Sequence, residues 1–259
     1  MHNGYMNFHK AIIQYDGSER QGFQHSDGAQ TIQGDLNHSL RTLLEGDFTT
    51  RAASRTDKGV HALAQVIKIS AEDPTPLTVA QLNAALPAHI RCLDISPCAA
   101  EFIPSIDQRS KEYRYLFTTE GEQRYIAQAP STLNIDDMKT CVEMLKGTND
   151  FKNFWSIGGV SNTTIREILA CDLQVINPQD LFQGTLFTTN ITSCWQVRIH
   201  GSGFLKHMVR HLVGALWEVG SAKLSVDEFA KLLRGDLKPQ RPWKKADPKG
   251  LFLVKVHYL

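Results

Sequence analysis

Cysteine is scarce in this chain. The five residues, Cys92, Cys98, Cys141, Cys171 and Cys194, are odd in number and none is spaced as CxxC. That argues against a disulfide framework and a zinc site, and suits a reducing compartment. An excess of one charge is also missing, since 28 Lys and Arg offset 27 Asp and Glu. Bulk electrostatics therefore do not announce a nucleic-acid binder, and such a partner would need a local basic surface. No apolar run approaches the roughly 20 residues of a membrane span. Met1 to Asn7 are polar, without the apolar core of a secretory leader. The expectation is a soluble cytoplasmic protein. GxxxxGK[ST], GxGxxG and GxSxG are absent, which leaves no sign of a bound nucleotide cofactor or a serine nucleophile. Low-complexity tracts and short-period repeats are absent too.

What is present suits a packed fold of one large or two modest domains. The chain has 259 residues, 42% of them apolar and 21% charged, enough to bury a core. Phe8 to Tyr15 reads as a strand ended by Asp16-Gly17. From Thr31 to Leu44, Ile32, Leu36, Leu40, Leu43 and Leu44 recur at helical spacing, with Gly46 as the stop. Val60 to Ile69 is a strand, Thr78 to Leu86 a short helix with a Thr78/Gln81 capping box, and Ile90 to Ile95 a strand.

A second half begins near residue 108, giving domains 1–108 and 109–259. Lys111 to Thr118 is an aromatic-rich strand. Asn134 caps a helix striped by Met138, Cys141, Val142 and Leu145 and closed by Gly147. Leu169, Cys171, Leu173 and Val175 alternate, as do Trp195, Val197 and Ile199, predicting two half-buried strands. Lys206 to Val219 is the strongest helix. Ser225/Glu228 opens another that ends at Gly235, and Leu251 to Tyr258 is a last strand. The fold class is α+β, two sheet-plus-helix halves.

Arg55-Thr56-Asp57-Lys58-Gly59-Val60-His61 carries the most chemical information. An Asp beside Gly is ordinarily a turn or cap residue. Flanking cations favour its ionised form, which can act as nucleophile or charge stabiliser but is a poor general acid. On the strand at 111–115, Tyr113 and Tyr115 share a face and Arg114 takes the other. They are either a core aromatic pair or a stacking platform for a nucleobase. Lys206, His207, Arg210, His211 and Gly214 form a polar seam on an apolar helix. His207 and His211 have metal-pair spacing, but position 208 is Met, the glutamate of HExxH is missing, and no metal is expected. An arginine on such a seam wants a carboxylate or phosphate, and Gly214 permits close approach of another backbone. Lys231, Arg234, Lys238, Arg241, Lys244, Lys245 and Lys249 face only Asp236 and Asp247 in the same stretch. This is either a solvated loop or a phosphate-contacting rim.

In this order the motifs resemble those of the TruA-type tRNA pseudouridine synthases over nearly the whole chain. They include Tyr15-Asp16-Gly17, Gly22-Phe23-Gln24, Thr31-Ile32-Gln33, the Arg55–His61 core and Asn83-Ala84-Ala85-Leu86-Pro87. They continue with Tyr113-Arg114-Tyr115, Asp150-Phe151-Lys152-Asn153-Phe154, Phe204 through Gly220, and Gly250-Leu251-Phe252-Leu253. The resemblance implies the pseudouridine synthase fold, with mainly antiparallel strands in one extended sheet around a central RNA-binding cleft. It implies Asp57 as the catalytic aspartate, Tyr113 against the target base, Arg210 as partner of Asp57 and Arg55 in extruding the nucleotide. Lys58, His61, Lys206, His207, Lys244 and Lys245 are expected as weaker RNA contacts. It further implies tRNA as partner, uridines of the anticodon stem-loop around positions 38 to 40 as targets, no cofactor, and a homodimer.

That chemistry suits these residue types. The N1–C1′ bond must break, the base turn, and C5 rejoin the sugar, so the nucleotide must leave the stack. Attack at C1′, attack at C6 and a glycal route all remain open for Asp57. A silent RNA-binding module on the same fold is the second reading, and intact Asp57, Tyr113 and Arg210 favour the enzyme. A hydrolytic glycosidase is the third. It usually needs two carboxylates, and no second acid neighbours Asp57 in sequence. Three positions depart from the family pattern. Phe102-Ile103-Pro104-Ser105 lacks an expected arginine, Lys58 replaces the usual Ala, and His211 stands where Asn is common.

Overall fold

The structure is a computed structural model that describes residues 6–73, 76–121, 123–156, 158, 162–239 and 243–258. Arg241 and Pro242 of the basic stretch lie outside the described residues. The chain forms two compact units. The first is Met1–Arg109 with Gly184–Phe187 and Leu253–Leu259; the second is Ser110–Gln183 with Thr188–Phe252. Six strand pairings within the two units are antiparallel and one short pairing is parallel.

In the first unit, β1 (Asn7–Tyr15) lies between β3 (His61–Ala71) and β4 (Ile90–Pro97), and β2 (Phe48–Ala52) pairs with β3. β10 (Leu251–His257) neighbours β3 through its residues in this unit. β3 is buried at nearly every position, as a strand covered on both faces must be. α1 (Ile32–Arg41) and α2 (Val79–Ala85) pack together. Ile32, Leu36 and Leu40 of α1 are buried, each worth about 1.5–3 kcal/mol of transfer free energy. Thr31 caps α1 by accepting from Gly34 N at 3.1 Å, and the Thr78/Gln81 capping box opens α2 as the spacing predicts.

α1 ends at Arg41, a turn before the expected stop. The Thr42 hydroxyl donates to Ser39 O at 2.8 Å, and the amides of Leu43 and Leu44 turn back on Leu40 O. Gly46 then takes a left-handed φ of 74° beyond the helix. β2 has no counterpart in the sequence reading. It is five residues long with no buried position, so it shows no apolar periodicity.

In the second unit the strands run β5 (Ser110–Thr118), β9 (Cys194–Gly201), β8 (Ile165–Ile176), β7 (Gly147–Asp150), with β6 (Ala127–Gln128) parallel to β5. α3 (Ile135–Met144), α5 (Met208–Gly220) and α6 (Val226–Arg234) pack on one another and cover this sheet, and α4 (Pro178–Phe182) is a single turn. β6, β7 and α4 are too short to register as patterns. β8 corrects the expected alternation. A register shift between Ile168 and Ala170 buries Ile168 and leaves Leu169 about half exposed. Cys171 and Leu173 are buried as expected, but Val175 is 52% exposed. A bulge reverses which side chain faces the core.

α5 also starts two residues later than expected. His207 has φ 61° and stands as the N-cap, so Lys206 and His207 precede the helix. All five cysteines are free thiols. No helix among the described residues is long and apolar enough to cross a membrane.

Candidate active site

Asp57 lies in the first unit, in the loop that joins β2 to β3. The backbone on both sides of it is pinned. The Gln65 amide of β3 clamps Ser54, accepting from its N–H at 3.1 Å and donating to its carbonyl at 2.7 Å, and it also donates to the Tyr15 hydroxyl at 3.4 Å. The Thr56 hydroxyl and the Tyr15 phenol share a hydrogen bond of 2.8 Å. Thr56 O accepts from Phe23 N at 3.0 Å, and Gly59 N donates to Arg20 O at 3.3 Å. Val60 N closes the turn on Asp57 O at 3.1 Å, and Gly59 supplies the φ of 77° the turn requires.

Thr56 and Val60 are buried and Asp57 between them is half-buried. The carboxylate therefore sits on a fixed frame without being sealed in. Arg55 and Lys58 are exposed and have no partner among the described residues. Two cations unpaired among the described residues thus flank Asp57 in sequence.

His61 corrects an expectation. As a weaker RNA contact it should be accessible, but its side chain is 0% exposed. Its Nδ1 lies 3.2 Å from Gly17 N and 3.2 Å from Asp16 Oδ1, and its ring meets Phe187 edge-on at 5.4 Å. It ties the Asp16–Gly17 turn to the start of β3. Burial would push the Asp16 carboxyl up, but hydrogen bonds from His61 and from the Ser18 hydroxyl and amide hold it well below the usual carboxylate range.

Tyr113, Arg210 and the remaining expected contacts are in the second unit. Tyr113 and Tyr115 share one face of β5, as the alternation predicts. Tyr115 is a core residue, with its hydroxyl donating to Asp247 O at 2.8 Å and its ring edge-on to Trp217. Tyr113 is 8% exposed and T-stacked on Phe204 at 5.0 Å. Arg114 points to the opposite face, where Glu112 accepts from Arg114 Nε at 2.9 Å and Arg198 at 2.8 Å. Burial would raise the Glu112 carboxyl, but the two guanidinium groups hold it low.

Arg210 is laced to the segment that follows α6. Its Nε donates to Ala246 O at 2.8 Å and its carbonyl accepts from Ala246 N at 3.0 Å. Trp243 Nε1 donates to His211 O at 2.9 Å. Gly214 admits this segment as its position on the seam implies. A Cβ there would meet Lys244 O at 2.3 Å.

His207 and His211 are bridged by a serine that sequence reasoning did not single out. Ser156 Oγ lies 2.8 Å from His207 Nδ1 and 3.0 Å from His211 Nε2, while Lys245 Nζ lies 3.1 Å from the same Nδ1. An ammonium only donates, so His207 Nδ1 accepts. Ser156 then donates to His207 and accepts from His211 Nε2–H. Burial first, then Lys245 and Arg210, lowers both imidazoles to about 4. Lys206 and Lys244 are exposed and Lys245 is half-buried. In the basic stretch, Lys231 pairs with Asp227 at 2.6 Å and Arg234 with Asp236 at 2.9 Å. Gln65 did carry a signal, as a lone amide in an apolar strand; Ser156 carried none.

A sequence model described as tRNA pseudouridine synthase matches residues 11–100 and 141–259. The chain belongs to the tRNA pseudouridine synthase family. Asp57 and Arg210 fall within the matched residues and Tyr113 falls outside them. Among curated relatives in this family, the tRNA pseudouridine synthase A of Geobacter sp. (strain M21) is 31% identical over 96% of this chain and 98% of its own length. That of Geobacillus kaustophilus is 33% identical over 96% of this chain and 93% of its own. That of Neisseria meningitidis serogroup B is 32% identical over 95% and 90%. A chain of a Cbf5-Nop10-Gar1 complex is similar at 9% identity and a TM-score of 0.37, over 95% of this chain and 48% of that one.

Proposed function

We propose that this chain isomerises uridine to pseudouridine in tRNA, in the anticodon stem-loop around positions 38 to 40, and works as a cytoplasmic homodimer without a cofactor. One observation carries the catalytic assignment. Asp57 sits in a loop whose backbone is fixed on both sides, flanked by two exposed cations that are unpaired among the described residues. A turn residue needs the frame but gains nothing from the unpaired cations. A carboxylate that meets a polyanionic strand uses both.

In this reading the target nucleotide is flipped from its stack. Arg55 and Lys58 hold its phosphates, Tyr113 stacks on the base, and Arg210 keeps the carboxylate ionised. The N1–C1′ bond breaks, the uracil turns, and a C5–C1′ bond forms. The C5 hydrogen leaves as a proton and N1 gains one, so atoms balance without oxidant, reductant or water. Attack at C1′, attack at C6 and glycal formation share one requirement, an ionised carboxylate beside the nucleoside.

The test is tritium release from an unmodified tRNA transcript labelled at C5 of uridine. The chain as it stands should release tritium without added metal or nucleotide. Asp57→Ala should lose release and retain tRNA binding. Persistent release in that variant overturns the catalytic role of Asp57.

A further inference from the structure

Lys111 stands on β5 two residues before Tyr113, on the same face. That places their Cα atoms about 7 Å apart along the strand. Its cross-strand neighbour on β9 is Gly201. No side chain fits there, because a Cβ would meet Glu167 O at 2.8 Å and Ile168 Cδ1 at 3.0 Å. The usual means of pairing a strand lysine, a carboxylate directly opposite, is therefore closed. The nearest carboxylate on β5, Glu112, points to the other face and already holds Arg114 and Arg198.

Lys111 has no hydrogen bond and no ion pair among the described residues, yet it is half-buried. Burial lowers its pKa to about 8, so at neutral pH most of it is still charged. A partly desolvated ammonium without an anion costs free energy. A methionine or leucine of similar volume would remove that cost. The strand carries the charge next to the tyrosine assigned to the base, and a nucleotide spans a base and a phosphate over a similar distance.

We propose that Lys111 is a substrate-binding residue that takes a phosphate oxygen of the RNA strand on the Tyr113 face of β5. This rests on the reading of the chain as a tRNA-modifying enzyme and adds a contact to it. The arriving phosphate supplies the anion that Gly201 excludes from the opposite strand. Lys111 thereby fixes the sugar-phosphate at one end of the nucleotide while Tyr113 holds the base at the other.

The experiment measures the affinity of an unmodified tRNA transcript against salt for the unaltered chain, Lys111→Met and Lys111→Arg. Losing one phosphate contact makes the log–log slope shallower by about 0.7–0.9. Lys111→Met should show that change with a melting temperature equal to or above that of the unaltered chain. Lys111→Arg should restore the slope. An unchanged slope in Lys111→Met overturns the proposal, and so does a lowered melting temperature with no change in slope, which marks a structural lysine. Tritium release by the unaltered chain separates the two readings. Release with an unchanged Lys111→Met slope overturns this contact alone, whereas no release overturns the enzymatic reading.

Discussion

Gly17 has no side chain because Val60 leaves no room for one. A Cβ there would lie 2.1 Å from Val60 O and 2.9 Å from the carbonyl carbon. Both are backbone atoms at the end of the Asp57 turn, so relief requires moving the turn. Gly17→Ala should cost about 1–3 kcal/mol and lower tritium release by more than the loss of folded protein explains. Denaturant midpoints and single-turnover rates on the same samples check this. At this scale the sequence exposed the important positions but not their supports. Asp57 stood out through its neighbours, whereas the Tyr15–Thr56 hydrogen bond and the Gln65 clamp join residues 41 and 11 positions apart. The lone Gln65 amide stands out in its strand, but no local pattern names the residue that such a contact reaches. His61 misled for the same reason. Its place beside Lys58 and Gly59 suggests an accessible site, while its burial depends on Asp16 and Phe187.

The decisive element is α5. Its apolar stripe was legible because Met208, Leu212, Leu216 and Val219 repeat at helical spacing and are all buried. Its start was not, since an αL residue at His207 leaves no trace in periodicity. The Ser156–His207–His211–Lys245 network makes a prediction about charge. Both imidazoles are lowered to about 4 in the fold against about 6.5 in the unfolded chain. Below pH 6.5 the unfolded chain binds protons that the folded one refuses. Stability contributed by this network should therefore fall as pH drops from about 6.5 towards 4. Nitrogen-resolved NMR of the folded protein at pH 5.5 should find both rings neutral, with the proton on Nε2. A ring that titrates near 6.5 overturns the assigned order of donors. β8 shows the other limit of periodicity. Strict alternation put Leu169 in the core, and one bulge handed that place to Ile168.

For the whole molecule, composition said least. A formal charge of +1 gives no hint of an anionic partner, and the exposed cations at Arg55, Lys58, Lys206 and Lys244 act through their placement. Sequence pattern divides the chain once, near residue 108, whereas the first unit runs to Arg109 and takes back Gly184–Phe187 and Leu253–Leu259. Those returns are substantial. Leu186 N donates to the buried Gln14 amide at 2.6 Å, Phe187 is 1% exposed, and Arg109 N donates to His257 O at 2.8 Å. A fragment of residues 1–109 lacks all three and the strand beside β3. It should show no cooperative urea transition and poor amide dispersion, while the full chain shows both. A folded fragment with a sharp transition would mean that these returns are dispensable.

The return of β10 also sets a timetable. A ribosome makes the chain from its first residue, and the half that carries Asp57 is spelled out by residue 109. Its last strand residues, near His257, follow about 148 codons later, a delay of about 7 to 30 s at ordinary rates of translation. Through that interval β3 waits with part of one edge unpaired, beyond the Ile67–Ala71 stretch that β2 covers, in a cell crowded with other nascent strands. Catalytic competence is then a property of the finished polypeptide. A truncated product that already contains every residue of the Asp57 loop would still be a client for chaperones and proteases.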